Sequence, residues 1–479
     1  MTPLNNNNRH HHFLRAPGNE QSRAFQNHQT SPQKSQPACP SCPSTSKPAP
    51  GPTSSRWSRT GARGSKSLIA HSPAHPLTLR HLSQEPKLTH ASDYKDDGTN
   101  ILLDANENAF GPPITSSTLS DASGPSLDLT TLHRYPDPHQ ADLKQLLCDL
   151  RTTHAHTDKA ITPANLFVGV GSDEAIDALL RCFCVPGVDK ILVCPPTYGM
   201  YSVSAQVNDV GLVKVPLLPA PGFGIDVAGV TAALSGPEAA RIKLVYLCSP
   251  GNPTGSLLAK EDVRAVLAHP TWNGVVVLDE AYVDFAAPEA SLAEWVAEWP
   301  NLVVMQTLSK AFGLAGIRLG AAFTAPPIAR LLNSLKAPYN VSSLTAGIAA
   351  YALSETGGLP KMRENRAALV AQRDRLLREL PKVEGVGRLS GGVESNFLLY
   401  EMLDREGRPD NGVALAVYEK LAESQGVVVR FRGKEHGCLG CLRVTVGTEE
   451  EVTRFLDSLA RTLAEVRGVA LAGEEGVAA

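Results

Sequence analysis

From about residue 130 the chain alternates between short runs of β-branched or other apolar residues and longer mixed stretches. Leu166–Val170, Lys190–Cys194, Ile242–Cys248, Val275–Leu278 and Leu302–Met305 have the length and composition of strands. Between several of them lie helix-like stretches such as Asp173–Phe183 and Glu261–Ala268. Strands alternating with helices predict a parallel α/β sheet with right-handed crossovers. In such sheets ligands sit beyond the carboxyl ends of the strands, so chemistry is sought just after each apolar run. Past about residue 340 the texture changes to long charged helices, with Lys361–Leu380 the clearest. Strand-like pieces follow at Asn396–Tyr400, Val427–Phe431 and Leu442–Val446, and a last helix at Glu449–Val466. This part predicts a smaller α+β domain, and no internal repeat is visible.

Residues 1–92 break the pattern. They are rich in Ser, Pro, His, Asn, Gln and Arg, and Glu20 and Glu85 are the only acids before Asp93. Such a segment buries too little apolar surface to offset its ordering entropy, and the expectation is disorder. Its acid-poor, Arg- and Ser-containing bias also fits a targeting segment.

Composition narrows the function class. A length of 479 residues suggests two to three domains, and 42% hydrophobic residues are enough for a globular body. The net charge of -3 gives no reason to expect a nucleic-acid partner. No stretch approaches the roughly 20 apolar residues needed to cross a bilayer. Nine cysteines, an odd count, and no secretory apolar region predict reduced thiols. The expectation is a cytoplasmic protein, with organelle import through the N-terminal extension as the alternative. Two C-x-x-C pairs occur, Cys39/Cys42 and Cys438/Cys441. One pair lies in a Pro/Ser tail and the other beside a strand, so no metal site is expected.

The strand ends carry the candidate chemistry. After Leu166–Val170 come Gly171, Ser172 and Asp173 at a helix start, where small residues either cap the helix or expose amides to a phosphate. After Lys190–Cys194, Tyr198 in PPTYGMY is either a packed loop tyrosine or a face on which a planar ring stacks. After Ile242–Cys248, the turn SPGNPTG fixes the direction of the Asn252 amide. Asp279, ending Val275–Leu278, is a poorly solvated carboxylate that needs a cation. A protonated pyridine nitrogen or a structural salt bridge would each serve. After Leu302–Met305 come Thr307, Ser309 and Lys310, then Arg318. A lysine desolvated at a strand end has a lowered pKa and attacks carbonyl carbons; Ser309 and Arg318 offer donors for a phosphate.

Taken together, Asn252 in SPGNPTG, Asp279 and Tyr282 in DEAY, and Lys310 in SKAFGLAGIR resemble fold-type I, aspartate-aminotransferase-like enzymes dependent on pyridoxal 5'-phosphate (PLP). The resemblance spans about residues 93–466. Within that superfamily LDANEN, RYPDP, PPTYGMY, TLSKAFGLAGIR and CLRVTVGT are most similar to histidinol-phosphate aminotransferases. The resemblance implies a fold-type I PLP-transferase: an N-terminal arm at 93–130 contributing to the small domain, a mostly parallel PLP-binding large domain at 131–340, a small α+β domain at 341–466 and a flexible tail at 467–479.

The roles it implies are specific. Lys310 anchors the cofactor and acts as general base. Asp279 keeps the pyridine nitrogen protonated, Tyr282 and Asn252 hydrogen-bond the ring oxygen, and Tyr198 stacks on the ring. Gly171, Ser172, Asp173, Thr307, Ser309 and Arg318 surround the phosphate, and Tyr135 of RYPDP reaches it from the second subunit of a homodimer. Arg430, Arg443 and Asn106 bind substrate, with Arg432 competing for the place of Arg430, because FRGKEH departs from the family pattern. Glu107, Asn108 and Phe110 are expected to help cover the substrate. The implied partners are histidinol phosphate and 2-oxoglutarate/glutamate. On the same scaffold an aromatic amino-acid aminotransferase and a threonine-phosphate decarboxylase are the alternatives. A transcription regulator with such a domain as sensor would need a helix-turn-helix ahead of it, and the first 90 residues show no periodic helical pattern. A relative without chemistry is at odds with intact Lys310, Asp279 and Asn252.

Overall fold

The structure, a computed structural model, describes residues 99–114, 125 and 127–469. The N-terminal extension, the tail beyond residue 469 and the Cys39/Cys42 pair lie outside the described residues.

The arm carries β1 (Ile101–Leu102), and the first α-helix among the described residues is α1 (Ala141–Arg151). Then come β2 (Leu166–Val170), α2 (Gly171–Phe183), β3 (Lys190–Val193), α3 (Met200–Val207), β4 (Gly211–Lys214) and α4 (Val227–Ser235). The centre of the sheet follows as β5 (Ile242–Cys248), α5 (Lys260–Leu267), β6 (Val275–Asp279), β7 (Leu302–Thr307) and β8 (Leu319–Thr324). These strands form one seven-stranded sheet in the order β2-β8-β7-β6-β5-β3-β4. β8 pairs antiparallel with both β2 and β7, and the remaining pairs are parallel, so β8 alone runs opposite.

Strands covered on both faces are apolar throughout, and period-two alternation then decides which face each residue serves. Leu192, Val245, Leu247, Val276, Leu278 and Val304 join one core cluster. Ile191, Val193, Leu244, Tyr246, Val277 and Val303 join the other. Helix α2 buries Ala175, Ile176, Leu179 and Leu180 and places Asp173 and Glu174 in its first turn, where carboxylates complement the helix dipole.

The chain continues through α6 (Pro326–Leu335), α7 (Ser343–Leu353) and the 21-residue α8 (Leu359–Glu379). A second sheet follows, from β9 (Val386–Leu389) and β10 (Phe397–Met402), then α9 (Asn411–Gln425), β11 (Val427–Val428), β12 (Arg430–Phe431), β13 (Cys441–Thr445) and α10 (Glu449–Arg467). Its order is β12-β13-β10-β9. The run expected as a single strand at Val427–Phe431 divides: β11 pairs with β1 of the arm, and β12 pairs with β13. This division sets the arm beside the arginine-bearing strands. Arg430 and Arg443 are direct cross-strand partners. Helix α10 starts in a capping box between Thr448 and Glu451 and ends at Gly468, whose φ of 62° is the left-handed stop that glycine adopts freely.

Candidate active site

Because β2, β3, β5, β6 and β7 share one direction, their carboxyl ends open onto one edge of the sheet, and a cavity of about 400 Å³ lies there. Ser172, Asp173, Tyr198, Asn252, Asp279, Tyr282, Thr307, Ser309, Lys310 and Arg318 line it, as do Asn106, Arg430 and Arg443. The residues expected from separate strand ends therefore converge.

Lys310 Nζ donates to the Ala105 carbonyl of the arm at 2.8 Å and lies 5.9 Å above the Tyr282 ring. Burial, reinforced by the nearby Arg443 charge, brings its pKa down to about 8. Asp279 closes the floor with only 2% exposure. Its Oδ2 accepts from the Tyr201 hydroxyl at 2.6 Å and its Oδ1 from the Ala281 amide at 3.1 Å. Burial raises this carboxyl to about 6, against the pull of the Tyr201 hydrogen bond. The Tyr282 hydroxyl accepts from Asn106 Nδ2 at 2.9 Å and from Asn252 Nδ2 at 3.5 Å. Burial holds this phenol up near about 12.

Near the start of α2, Arg318 Nη2 stands 3.6 Å from Asp173 Oδ2. Gly171 has φ +73°, a left-handed conformation that favours glycine, and the Arg318 guanidinium packs against it. The Thr307 hydroxyl accepts from the Ser309 amide at 3.1 Å and lies 2.9 Å from the Ser309 hydroxyl. Tyr198 donates to Asp173 Oδ1 at 3.3 Å, with its ring edge-to-face against Tyr201.

At the opposite wall Arg443 is buried and donates from Nη1 to Asn252 Oδ1 at 2.7 Å and from Nη2 to the Asp104 carbonyl. Burial, then the neighbouring Arg432, brings its pKa down to about 9. Both Arg432 and Arg430 also line the cavity. Asp104 lines the same wall, with its carboxyl raised by burial and opposed by Arg430.

The geometry joins a buried amine, a buried carboxylate, a paired phenol and a cluster of guanidiniums in one cavity. A family model for class I and II aminotransferases matches residues 99–459. The chain belongs to this family. Among curated aminotransferases, the histidinol-phosphate aminotransferase of Schizosaccharomyces pombe is 50% identical over 372 residues, covering 77% of this chain and 93% of that one. That of Candida maltosa is 46% identical, covering 80% of this chain and 96% of that one. Among solved structures, the histidinol-phosphate aminotransferase of Sinorhizobium meliloti in complex with pyridoxal-5'-phosphate matches with a TM-score of 0.65 at 26% identity, covering 76% of this chain and 90% of that one. Aspartate aminotransferase from Thermus thermophilus with maleate shares the fold at a TM-score of 0.62 and 22% identity, covering 78% of this chain and 94% of that one.

Within this aminotransferase, Tyr135 stands apart. It is 82% exposed, stacks on Tyr339 at 4.6 Å between centroids, and does not line the cavity. Of the arm residues expected over the substrate, Asn106 lines the cavity, whereas Asn108 is buried and bonds to the Ala311 carbonyl, and Phe110 packs on the core. Sequence reasoning missed Tyr201, Asp104 and the Ala105 carbonyl. Tyr201 lies in the first turn of α3, and its partner Asp279 ends a strand far along the chain, so no local pattern pairs them. The carbonyl had no signal either, because any residue supplies one.

Proposed function

We propose that this chain transfers the amino group of L-histidinol phosphate to 2-oxoglutarate, giving imidazole acetol phosphate and glutamate in histidine biosynthesis, with PLP as cofactor. The observation that carries the substrate is the 50% identity to the S. pombe histidinol-phosphate aminotransferase across 93% of its length.

The residues fit PLP. The Gly171–Arg318 approach beside the start of α2, with Ser172, Thr307 and Ser309, offers amides, hydroxyls and a guanidinium to a phosphate. Asp279 is a buried carboxylate with no cation within its hydrogen-bonding shell among the described residues, which suits a protonated pyridine nitrogen. When bound, PLP supplies an electron-withdrawing ring that stabilises negative charge at the substrate Cα.

The chain's own groups do the rest. Asp279 holds the proton on the ring nitrogen, and its short bond from Tyr201 keeps it aimed. Tyr282 and Asn252 would hydrogen-bond the ring oxygen, and Tyr198 would cover a ring face. Lys310, with its pKa at about 8, is partly the free base near neutral pH and would be the general base that moves the proton from the substrate Cα. Arg430 and Arg443 hold the distal anion, which is a phosphate in one half-reaction and a carboxylate in the other. Tyr135, exposed here, serves the cofactor phosphate of a second subunit, which makes a homodimer part of the site.

A coupled assay with purified protein tests this reading: histidinol phosphate plus 2-oxoglutarate yields glutamate, and tyrosine and aspartate are poorer donors. Carbon dioxide release from threonine phosphate, without glutamate from histidinol phosphate, would overturn it in favour of the decarboxylase.

A further inference from the structure

Arg432 stands between two cavities. It lines the catalytic cavity with Arg430 and Arg443, and it also lines a second cavity of about 490 Å³ that shares Tyr198 and includes Glu435. From that outer side Glu435 Oε1 accepts from Arg432 Nη1 at 2.7 Å. The Nε of Arg432 is buried and has no partner among the described residues. The Arg430 guanidinium likewise has no side-chain hydrogen bond among them. The Glu435 carboxyl is raised by burial and lowered first by Arg432, then by Arg443 and Arg430, so it lies in the field of all three arginines.

The segment carrying this pair is fixed. The Arg432 amide donates to the Cys441 carbonyl at 2.9 Å and the Glu435 amide to the Arg432 carbonyl at 3.0 Å. Asn411 donates to the Gly433 carbonyl and accepts from the Gly440 amide, clamping both ends of the loop. A carboxylate tethered this closely has a high effective concentration at its guanidinium, so only a stronger anion displaces it.

An aminotransferase of the kind proposed above must hold two different distal anions at one wall. A phosphate monoester carries a charge of about -1.5 to -2 and three acceptor oxygens, against one charge and two oxygens for a carboxylate. We propose that Arg432 is a third anion-binding arginine engaged by the phosphate monoester, and that Glu435 takes it back when the distal anion is a carboxylate. Exchange of one carboxylate for another gains nothing, so a carboxylate substrate leaves the Arg432–Glu435 pair closed. A phosphate dianion opens it and gains a forked contact. The wall thereby changes its net charge by about one to match its occupant.

The inference rests on the reading that one site takes both a phosphate ester and glutamate, and inorganic phosphate serves as a probe independent of the amine donor. In the PLP-loaded enzyme, the inhibition constant of inorganic phosphate against glutamate is measured beside KM for glutamate and for histidinol phosphate. Arg432→Ala is expected to weaken inorganic phosphate and histidinol phosphate by about tenfold or more, the usual loss for one charged hydrogen-bond partner, with a much smaller rise in KM for glutamate. Arg432→Lys, which keeps the charge and loses the fork, falls between. Glu435→Gln tightens inorganic phosphate several-fold, about the effect of removing a partly buried competitor, and that tightening disappears in the double variant. Equal losses for phosphate and glutamate in Arg432→Ala would overturn the proposal, as would a Glu435→Gln effect that survives without Arg432. If histidinol phosphate is no substrate while inorganic phosphate responds as described, the arginine assignment stands and the substrate assignment falls.

Discussion

At the scale of single residues the cavity is governed by burial of charge. Lys310, Asp279 and Arg443 each have pKa values displaced toward neutrality, with desolvation the leading cause in all three. The sign for Lys310 follows directly. Its pKa falls from 10.5 to about 8, so the reactive neutral amine dominates above that point instead of two to three pH units higher. The rate of PLP uptake by the apoprotein should therefore rise about tenfold per pH unit up to near 8 and then level. A rise that continues unbroken toward pH 10 would contradict the buried-amine picture. Lys310→Ala should abolish both turnover and the absorbance of lysine-bound cofactor. For Tyr201 the argument is positional: its hydroxyl is the strongest influence lowering the Asp279 pKa. Tyr201→Phe should push Asp279 further up and weaken PLP binding by about tenfold, as expected for loss of one hydrogen bond to a charged group. Equilibrium PLP titration followed by fluorescence measures this, and unchanged affinity would rule out the role. Lys310, Asp279 and Asn252 were legible because each is a polar residue at or a few positions beyond the end of a strand-length apolar run. Tyr201 was not, since the carboxylate it bonds lies 78 positions away in the chain.

Among the elements, the junction of α2 with β8 shows what sequence patterns carry and what they leave out. β2 and β5 were readable with the same bounds that the structure gives them, because β-branched and large apolar residues fill them. β8, with sequence LGAAFT, escaped notice. Its small residues have low strand propensity, and its antiparallel pairing is set by neighbours and not by its own composition. Those small residues have a use: a Cβ on Gly320 would lie 2.4 Å from the Ser172 amide nitrogen, so only glycine lets the start of α2 sit against the sheet. At Gly171 the constraint is the backbone conformation, φ +73°. Gly171→Ala puts a Cβ at a left-handed φ and displaces the Arg318 guanidinium, and should cost about 1–2 kcal/mol of stability together with weaker PLP binding. Thr448→Ala offers a contrast: it removes the cap of α10 and should lower stability by about 1 kcal/mol while leaving PLP affinity unchanged. Thermal melts paired with PLP titrations separate the two, and a Gly171→Ala protein that melts lower yet binds PLP normally would detach this glycine from the phosphate site. The split of Val427–Phe431 belongs with β8, since β1 lies more than 300 residues earlier and no local pattern announces their pairing.

For the whole molecule, the homodimer proposed above bears on how each site is completed. Tyr135 does not line the cavity of its own chain and, like Leu129 and Leu132, is exposed by half or more. Such exposure concentrated in one short segment marks an interaction surface. In a symmetric dimer each Tyr135 would serve the opposite cavity, and this arrangement makes a prediction that a monomeric site cannot satisfy. Lys310→Ala and Tyr135→Ala subunits are each expected to be poorly active alone. Mixed after dissociation, about half of the dimers are heterodimers, and each contains one cavity with Lys310 from one chain and Tyr135 from the other. The mixture should then recover about a quarter of wild-type activity, because the second cavity in every heterodimer lacks both groups. If Tyr135 acted on its own cavity, every cavity in the mixture would still lack one of the two groups, and no activity would return. Native mass spectrometry of the mixture confirms that heterodimers formed, so an absence of recovery in their presence rejects the shared site itself.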